Sequence, residues 1–327
     1  MNKFINRISN IGIVPVVKIE DKEDALPLAK ALYEGGIDVA EITFRSCYAQ
    51  SAIETITKEI PDMLVGAGTV LTVDQAKEAV QAGAKFIITP GLNEEVIKWC
   101  LQNDIDIYPG VSTASEIETA LSYGLTNLKF FPAQASGGAK KIKALAGPYQ
   151  NVKFMPTGGI NAENMHEYLS LDNVSAIGGS FMLPSDLIKN KDWNSIQELS
   201  KLAVKKLLNY QLIHIGINSK NAEESLETTQ TLCKLFNFTY YKKPKSNFAG
   251  VGFEVLHAKG PGENGHIGIY TPYPEKALYH LEKQGIHARE DTITRNKKSG
   301  KINFVYLDFE IAGFGVHLIN PDVKMEV

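Results

Sequence analysis

The chain has 327 residues, 44% of them hydrophobic and 22% charged, and its formal net charge is −3. That length allows one large domain or two ordinary ones, and the near-neutral balance argues against nucleic acid or an anionic membrane as a partner. The first residues lead into an ordinary amphipathic segment with no signal-peptide core, and no run is long enough to span a bilayer. Cys47, Cys100 and Cys233 are widely separated and odd in number, which is not a disulfide framework. The expectation is a soluble, cytoplasmic protein.

Short apolar or β-branched runs alternate with helical patterns up to about residue 208. The strands read as Ile13–Ile19, Val39–Arg45, Leu64–Val70, Phe86–Gly91, Asp106–Val111, Asn127–Ala133, Lys153–Ile160 and Ala176–Phe181. Segments such as "DKEDALPLAKALYEGG" and "TVDQAKEAVQAGA" lie between them, with apolar residues at helical spacing and Gly as a stop signal. Thr72 and Asp74 are candidate N-caps for the third of these helices and Asn161 for the seventh. Eight βα units in tandem predict an α/β protein with a (β/α)8 TIM barrel over residues 1–208. The alternative is an open doubly wound sheet, which would want fewer strands and a Gly-rich fingerprint that "VPVVKIEDKED" lacks.

In a barrel, chemistry belongs at the C-terminal ends of the strands, and the unusual residues fall there. Glu41, Thr43 and Arg45 alternate along the second strand and so share a side. Thr69 closes the third strand, and Pro90 and Gly91 end the fourth. Lys129 stands inside "LKFFP", where every neighbour reads as buried. A lysine there could lay its stem along the strand and lift its head to solvent. Alternatively, an amine held among apolar groups has its charged form disfavoured, and a neutral amine condenses with carbonyls to a Schiff base. Glu41 and Arg45 read either as a structural ion pair at the rim or as an acid/base and an anion anchor. Gly158 and Gly159, and Gly178 and Gly179 followed by Ser180, put paired glycines before helical segments. They either make tight turns or cradle a phosphate.

Seven motifs, in order, carry a resemblance. They are "AEITFRS" (Ala40–Ser46), "GAGTVL" (Gly66–Leu71), "TPG" (Thr89–Gly91), "PGVST" (Pro109–Thr113), "LKFFPA" (Leu128–Ala133), "MPTGGI" (Met155–Ile160) and "IGGSF" (Ile177–Phe181). Residues 1–208 resemble the 2-keto-3-deoxy-6-phosphogluconate and 4-hydroxy-2-oxoglutarate aldolases. The resemblance implies a class I aldolase that needs no cofactor, with Lys129 as the Schiff-base lysine and Glu41 as general acid/base. It implies that Arg45 and Thr69 hold the pyruvoyl carboxylate, that Pro90 and Phe131 line the pocket, and that Thr157 lies near the C4 hydroxyl. Gly158, Gly159, Gly178, Gly179 and Ser180 would hold the phosphate. Substrates would be a small keto acid and a phosphorylated aldehyde, and the assembly a homotrimer. Unphosphorylated 4-hydroxy-2-oxoglutarate, cleaved to pyruvate and glyoxylate, is the alternative main substrate.

The last third has a different composition: of seven histidines only His166 precedes residue 210. The pattern predicts a strand Leu212–Asn218, a helix Ala222–Phe236, and strands around Thr239–Lys242 and Val251–Leu256. A strand His266–Tyr270, a helix Pro274–Gln284, and strands Asn303–Phe309 and Gly315–Ile319 follow. "HIGI" at 214–217 recurs at 266–269, each time before a helix, predicting a smaller α+β domain of paired βαβββ modules over 211–327. This part resembles a vicinal-oxygen-chelate (glyoxalase-like) domain. The resemblance implies metal positions at His214, Glu254, His266 and His317. His317 departs from it, since the family usually has Glu there. Such a set could bind a divalent metal, or the module could serve ligand sensing or assembly without one. A metal-dependent lyase or isomerase, or a binding module, in this part is the remaining alternative for the main activity.

Overall fold

The computed structural model describes residues 4–297 and 299–320, which form two compact units dividing between Leu207 and Leu208. In the first unit the strands are β1 (Ile13–Val17), β2 (Val39–Thr43), β3 (Leu64–Gly68) and β4 (Phe86–Ile88). They continue as β5 (Asp106–Tyr108, resuming after Pro109 at Gly110–Val111), β6 (Asn127–Phe130), β7 (Lys153–Pro156) and β8 (Ile177–Gly179). Each pairs in parallel with the next; a Thr157–Gly178 bridge links the ends of β7 and β8, and β8 returns to β1 at Ile13–Ile177. The ring is therefore closed, and the fold is a (β/α)8 barrel. Proline has no N–H to give the ladder, which accounts for the break in β5 at Pro109.

Helix starts follow from local chemistry. Thr72 accepts from Gln75 N, Asn93 accepts from Glu95 N and Val96 N, and Thr113 and Glu116 form a reciprocal capping box. Asp74 lies in the first turn and pairs with Lys77 instead of capping. Asn161 accepts from Glu163 N and Asn164 N in the turn before Met165–Leu169, whose cap position is Asn164. The longer helices lay an apolar stripe on the barrel; Ala25–Glu34, for example, buries Leu28, Ala29 and Leu32.

Most barrel strands stop two or three residues earlier than their apolar runs suggest. The residues beyond β3 and β7 turn the chain out of the sheet: Thr69 has φ 54°, Gly158 φ 100° and Gly159 φ 78°. Arg45, Thr69, Pro90, Phe131 and Gly158 thus sit in βα loops at the rim. Apolar character persists just past the strands because Val70, Ala133 and Ile160 remain buried there.

The second unit is one eight-stranded sheet. Its strands are β9 (Gln211–Ile217), β10 (Tyr240–Lys242), β11 (Ser246–Ala249), β12 (Phe253–Leu256), β13 (Gly265–Tyr270), β14 (Thr294–Arg295), β15 (Ile302–Ile311) and β16 (Phe314–Ile319). The spatial order is β10-β11-β12-β9-β13-β16-β15-β14, so two βαβββ modules meet through antiparallel β9 and β13. Ala222–Phe236 and Pro274–Glu282 are the module helices. β11 and β14 have no counterpart in the sequence reading: "SNFA" mixes polar and apolar residues, and "TR" is too short for a period. Among the described residues, no helix is long and apolar enough to cross a membrane.

Candidate active site and histidine cluster

β2 and β6 bring Glu41 and Lys129 together inside the barrel. Lys129 Nζ donates to Glu41 Oε1 at 3.0 Å and lies 3.3 Å from Oε2. The lysine is 4% exposed and the carboxylate fully buried. Lysine among apolar neighbours is thus resolved by a partner from a strand 88 residues away. Room for that carboxylate comes from β3, where a Cβ on Gly68 would lie 2.0 Å from Glu41 Oε1. The Phe131 ring stands 5.5 Å from Lys129 Nζ.

Around this pair the rim is cross-braced. Thr43 Oγ1 donates to Val17 O at 2.9 Å, and Arg45 Nε reaches back to Thr43 Oγ1 at 3.3 Å. Thr89 Oγ1 donates to Gly91 O and accepts from Gly110 N, tying the turn after β4, with Pro90 in it, to β5. A Cβ on Gly110 would meet the Pro90 carbonyl at 2.3 Å, so the two strand ends touch by backbone. Thr157 is buried, and a Cβ on Gly178 would lie 2.2 Å from its Oγ1. Gly159 likewise packs against Gln134.

Arg45 and Ser180 line one cavity of about 200 Å³ at the ends of β1, β2 and β8, together with Lys18, Glu20, Ser185 and Lys189. Lys18 Nζ pairs with Glu20 Oε1 at 2.5 Å. Lys18, then Lys189, holds the exposed Glu20 carboxyl below the usual carboxylate range. The sequence reading missed Lys18 and Lys189. The signal for Lys18 was the same as for Lys129, a lysine interrupting an apolar strand run.

The arrangement offers a sheltered amine beside a carboxylate, with an arginine, hydroxyls and a cationic cavity at the mouth. An amine that can pass its proton to a neighbouring carboxylate is equipped to add to a carbonyl.

In the second unit the pleat gathers His214, Glu254, His266 and His317. His214 Nε2 lies 3.0 Å from His266 Nε2 and 3.1 Å from His317 Nε2. Glu254 Oε2 is 3.2 Å from His266 Nε2 and 3.4 Å from His214 Nε2. The three imidazoles are buried, and their ligand atoms all lie within 4.8 Å of one another. Register explains it: His214 faces Gly268 and Gly216 faces His266 across β9 and β13. A Cβ on Gly216 would lie 2.0 Å from His266 Cε1, and one on Gly268 2.7 Å from His214 Cε1. Each "HIGI" therefore supplies one imidazole and the gap for the other. Burial, with the other imidazoles, pushes His317 down to about 2; burial pushes His214 down to about 4 against the opposing Glu254 charge. Burial opposes Glu254 ionisation, but hydrogen bonds from His266 and Ser246 and the nearby imidazoles outweigh it, so its carboxyl is lowered.

The family model for KDPG and KHG aldolase matches residues 4–199. The 2-dehydro-3-deoxy-phosphogluconate aldolase of Treponema pallidum is 46% identical over 201 residues, 62% of this chain and 96% of that protein. The KHG/KDPG aldolase of Escherichia coli K12 is 46% identical over 192 residues, 59% of this chain and 90% of that protein. Among solved structures, KDPG aldolase from Legionella pneumophila, with pyruvate captured as a covalent carbinolamine, superposes with TM-score 0.60 at 43% identity. That match covers 62% of this chain and 99% of the other. The chain belongs to the KDPG and KHG aldolase family, and it is an aldolase, a carbon–carbon lyase.

Proposed function

We propose that the first unit cleaves 2-keto-3-deoxy-6-phosphogluconate to pyruvate and glyceraldehyde 3-phosphate through a Schiff base on Lys129. The observation that carries this reading is the buried pair of Lys129 and Glu41 at 3.0 Å in the barrel. Lys129 Nζ, its proton passed to Glu41, adds to the C2 ketone, and loss of water gives an iminium. Glu41, directly or through a water, takes the proton of the C4 hydroxyl. The C3–C4 bond breaks and its electrons flow into the iminium, releasing the aldehyde and leaving an enamine. Protonation at C3 and hydrolysis return pyruvate and the free amine. Arg45 and Thr69 hold the carboxylate, Pro90 and Phe131 wall the pocket, and Thr157 meets the C4 hydroxyl. Gly158, Gly159, Gly178, Gly179 and Ser180 receive the phosphate.

Borohydride reduction in the presence of pyruvate, followed by peptide mass mapping, tests the central step. An adduct on any residue but Lys129, or no adduct, sinks it. Aldolase rates with and without the substrate phosphate separate this reading from 4-hydroxy-2-oxoglutarate cleavage. The cationic cavity holding Arg45, Lys18 and Lys189 favours the phosphorylated substrate. On this reading the enzyme is a cytoplasmic homotrimer, with residues 1–208 as the aldolase domain. Residues 211–327 are a glyoxalase-like domain, a reading supported by the two βαβββ modules and the His/Glu cluster.

A further inference from the structure

We propose that Gln134, anchored by the buried hydroxyl of Tyr168, is a positioning residue that shapes the Gly158–Gly159 turn for a phosphate and so sets the preference for phosphorylated over unphosphorylated substrate. The inference rests on the reading that this turn receives the substrate phosphate.

The first support is the way the turn is held. Three successive carbonyls are taken up by groups outside it. Thr157 O accepts from Ala133 N at 2.8 Å, Gly158 O from Gln134 N at 3.0 Å, and Gly159 O from Asn164 Nδ2 at 2.9 Å. In a planar trans peptide the N–H points opposite to the C=O. Fixing these carbonyls therefore fixes where the N–H groups of Gly158, Gly159 and Ile160 aim. Backbone N–H groups of this kind are what a glycine-rich turn offers to a phosphate.

The second support is that Gln134 holds the turn in two ways. Besides the bond from its backbone N–H, its side chain fills the space beside Gly159. A Cβ on Gly159 would lie 2.5 Å from Gln134 Cβ. Gln134 also follows β6, the strand that carries Lys129, so the amine and the turn share one mount.

The third support is the anchor. Gln134 is exposed, and a free glutamine at the rim would exchange among rotamers. Tyr168, in the helix Met165–Leu169, is fully buried, which fixes its ring. Its hydroxyl donates to Gln134 Oε1 and passes beside Gly138, where a Cβ would lie 3.4 Å from it. A donor that cannot move thus holds a side chain that otherwise would.

The test is steady-state kinetics of the full chain on the phosphorylated keto acid and on the same acid without its phosphate. Gln134→Met keeps the length and removes the acceptor; Tyr168→Phe removes the donor. Each should raise KM for the phosphorylated substrate by about 5–10-fold, the scale of one hydrogen bond, with kcat changed less. kcat/KM for the unphosphorylated acid should stay within about 2-fold, as should the pyruvate concentration that half-saturates borohydride trapping on Lys129. The double variant should be no worse than either single one, because the two side chains act as a unit. Should Tyr168→Phe not fold, Gln134→Met, at an exposed position, carries the test. If removing the phosphate leaves kcat/KM of the unmodified enzyme unchanged, the phosphate reading falls and this inference with it. If that preference is present but Gln134→Met leaves it unchanged, or slows both substrates and pyruvate trapping alike, the positioning role falls while the phosphate reading stands.

Discussion

Lys129 Nζ and Glu41 Oε1 meet at 3.0 Å in a space where neither side chain is more than 5% exposed. Breaking a buried pair by removing one partner strands the other charge at a cost of about 3–5 kcal/mol, whereas replacing both with uncharged groups is often neutral. Lys129→Met should therefore lower thermal stability more than the double substitution Lys129→Met/Glu41→Gln. Differential scanning calorimetry on the two variants decides it; equal loss in both would mean the pair is not coupled as described.

On the proposed mechanism, Glu41→Gln keeps the shape of the side chain and removes the base. Its turnover should fall by about 10²–10⁴-fold, the range for a positioned acid/base. A coupled assay for pyruvate release reads the loss. Turnover within a few fold of the unmodified enzyme would assign the proton transfer to another group.

Gly68→Ala tests how the carboxylate is placed without touching either partner. The added methyl would sit 2.0 Å from Glu41 Oε1 in a packed interior, so the carboxylate must move. A displacement near 1 Å can cost about 10²-fold in rate, and turnover should drop on that scale. Unchanged turnover would show that Glu41 has room to retreat.

Thr69 occupies the left-handed region at φ 54°, a costly place for a β-branched residue. Thr69→Gly should relieve about 1–2 kcal/mol of backbone strain. If its hydroxyl helps hold the substrate carboxylate, KM rises in the same variant. Chemical denaturation and steady-state kinetics should therefore move in opposite directions.

In the second unit, burial lowers the Lys276 ammonium from 10.5 to about 8, with Glu275 opposing the shift and Lys301 adding to it. Between those values the unfolded chain keeps a proton that the folded chain has released. Stability from this group therefore rises with pH across the window. Lys276→Met removes the dependence. The variant's stability advantage should be largest near pH 7 and shrink toward pH 10.5, as read from denaturation midpoints at several pH values. A constant difference would contradict the assignment.

Much of the first unit was legible because barrel logic is local and repetitive. Apolar alternation marked each strand, and odd polar residues at run ends marked the rim. Strand ends were less legible, since Phe44 and "FPA" (Phe131–Ala133) prolong the apolar run after their strands have ended. Lys18 and Lys189 were missed because one lies in a strand run and the other in a short surface helix. Only the closed ring brings both to the cavity with Arg45.

Along the chain alone, the sequence marked the residues proposed to carry chemistry: a lysine in "LKFFP", a glutamate in "AEITF", the paired glycines and a repeated "HIGI". Periodicities of two and 3.6 are properties of neighbouring residues, so they can be read along the chain. The tertiary structure alone decided who meets whom. Barrel closure set Lys129 against Glu41 and cleared Gly68 for the carboxylate. Antiparallel register laid one "HIGI" across the other so that each histidine fills the other's glycine. Register and closure are set by contacts far apart in sequence, and a one-residue slip would turn every imidazole to the opposite face.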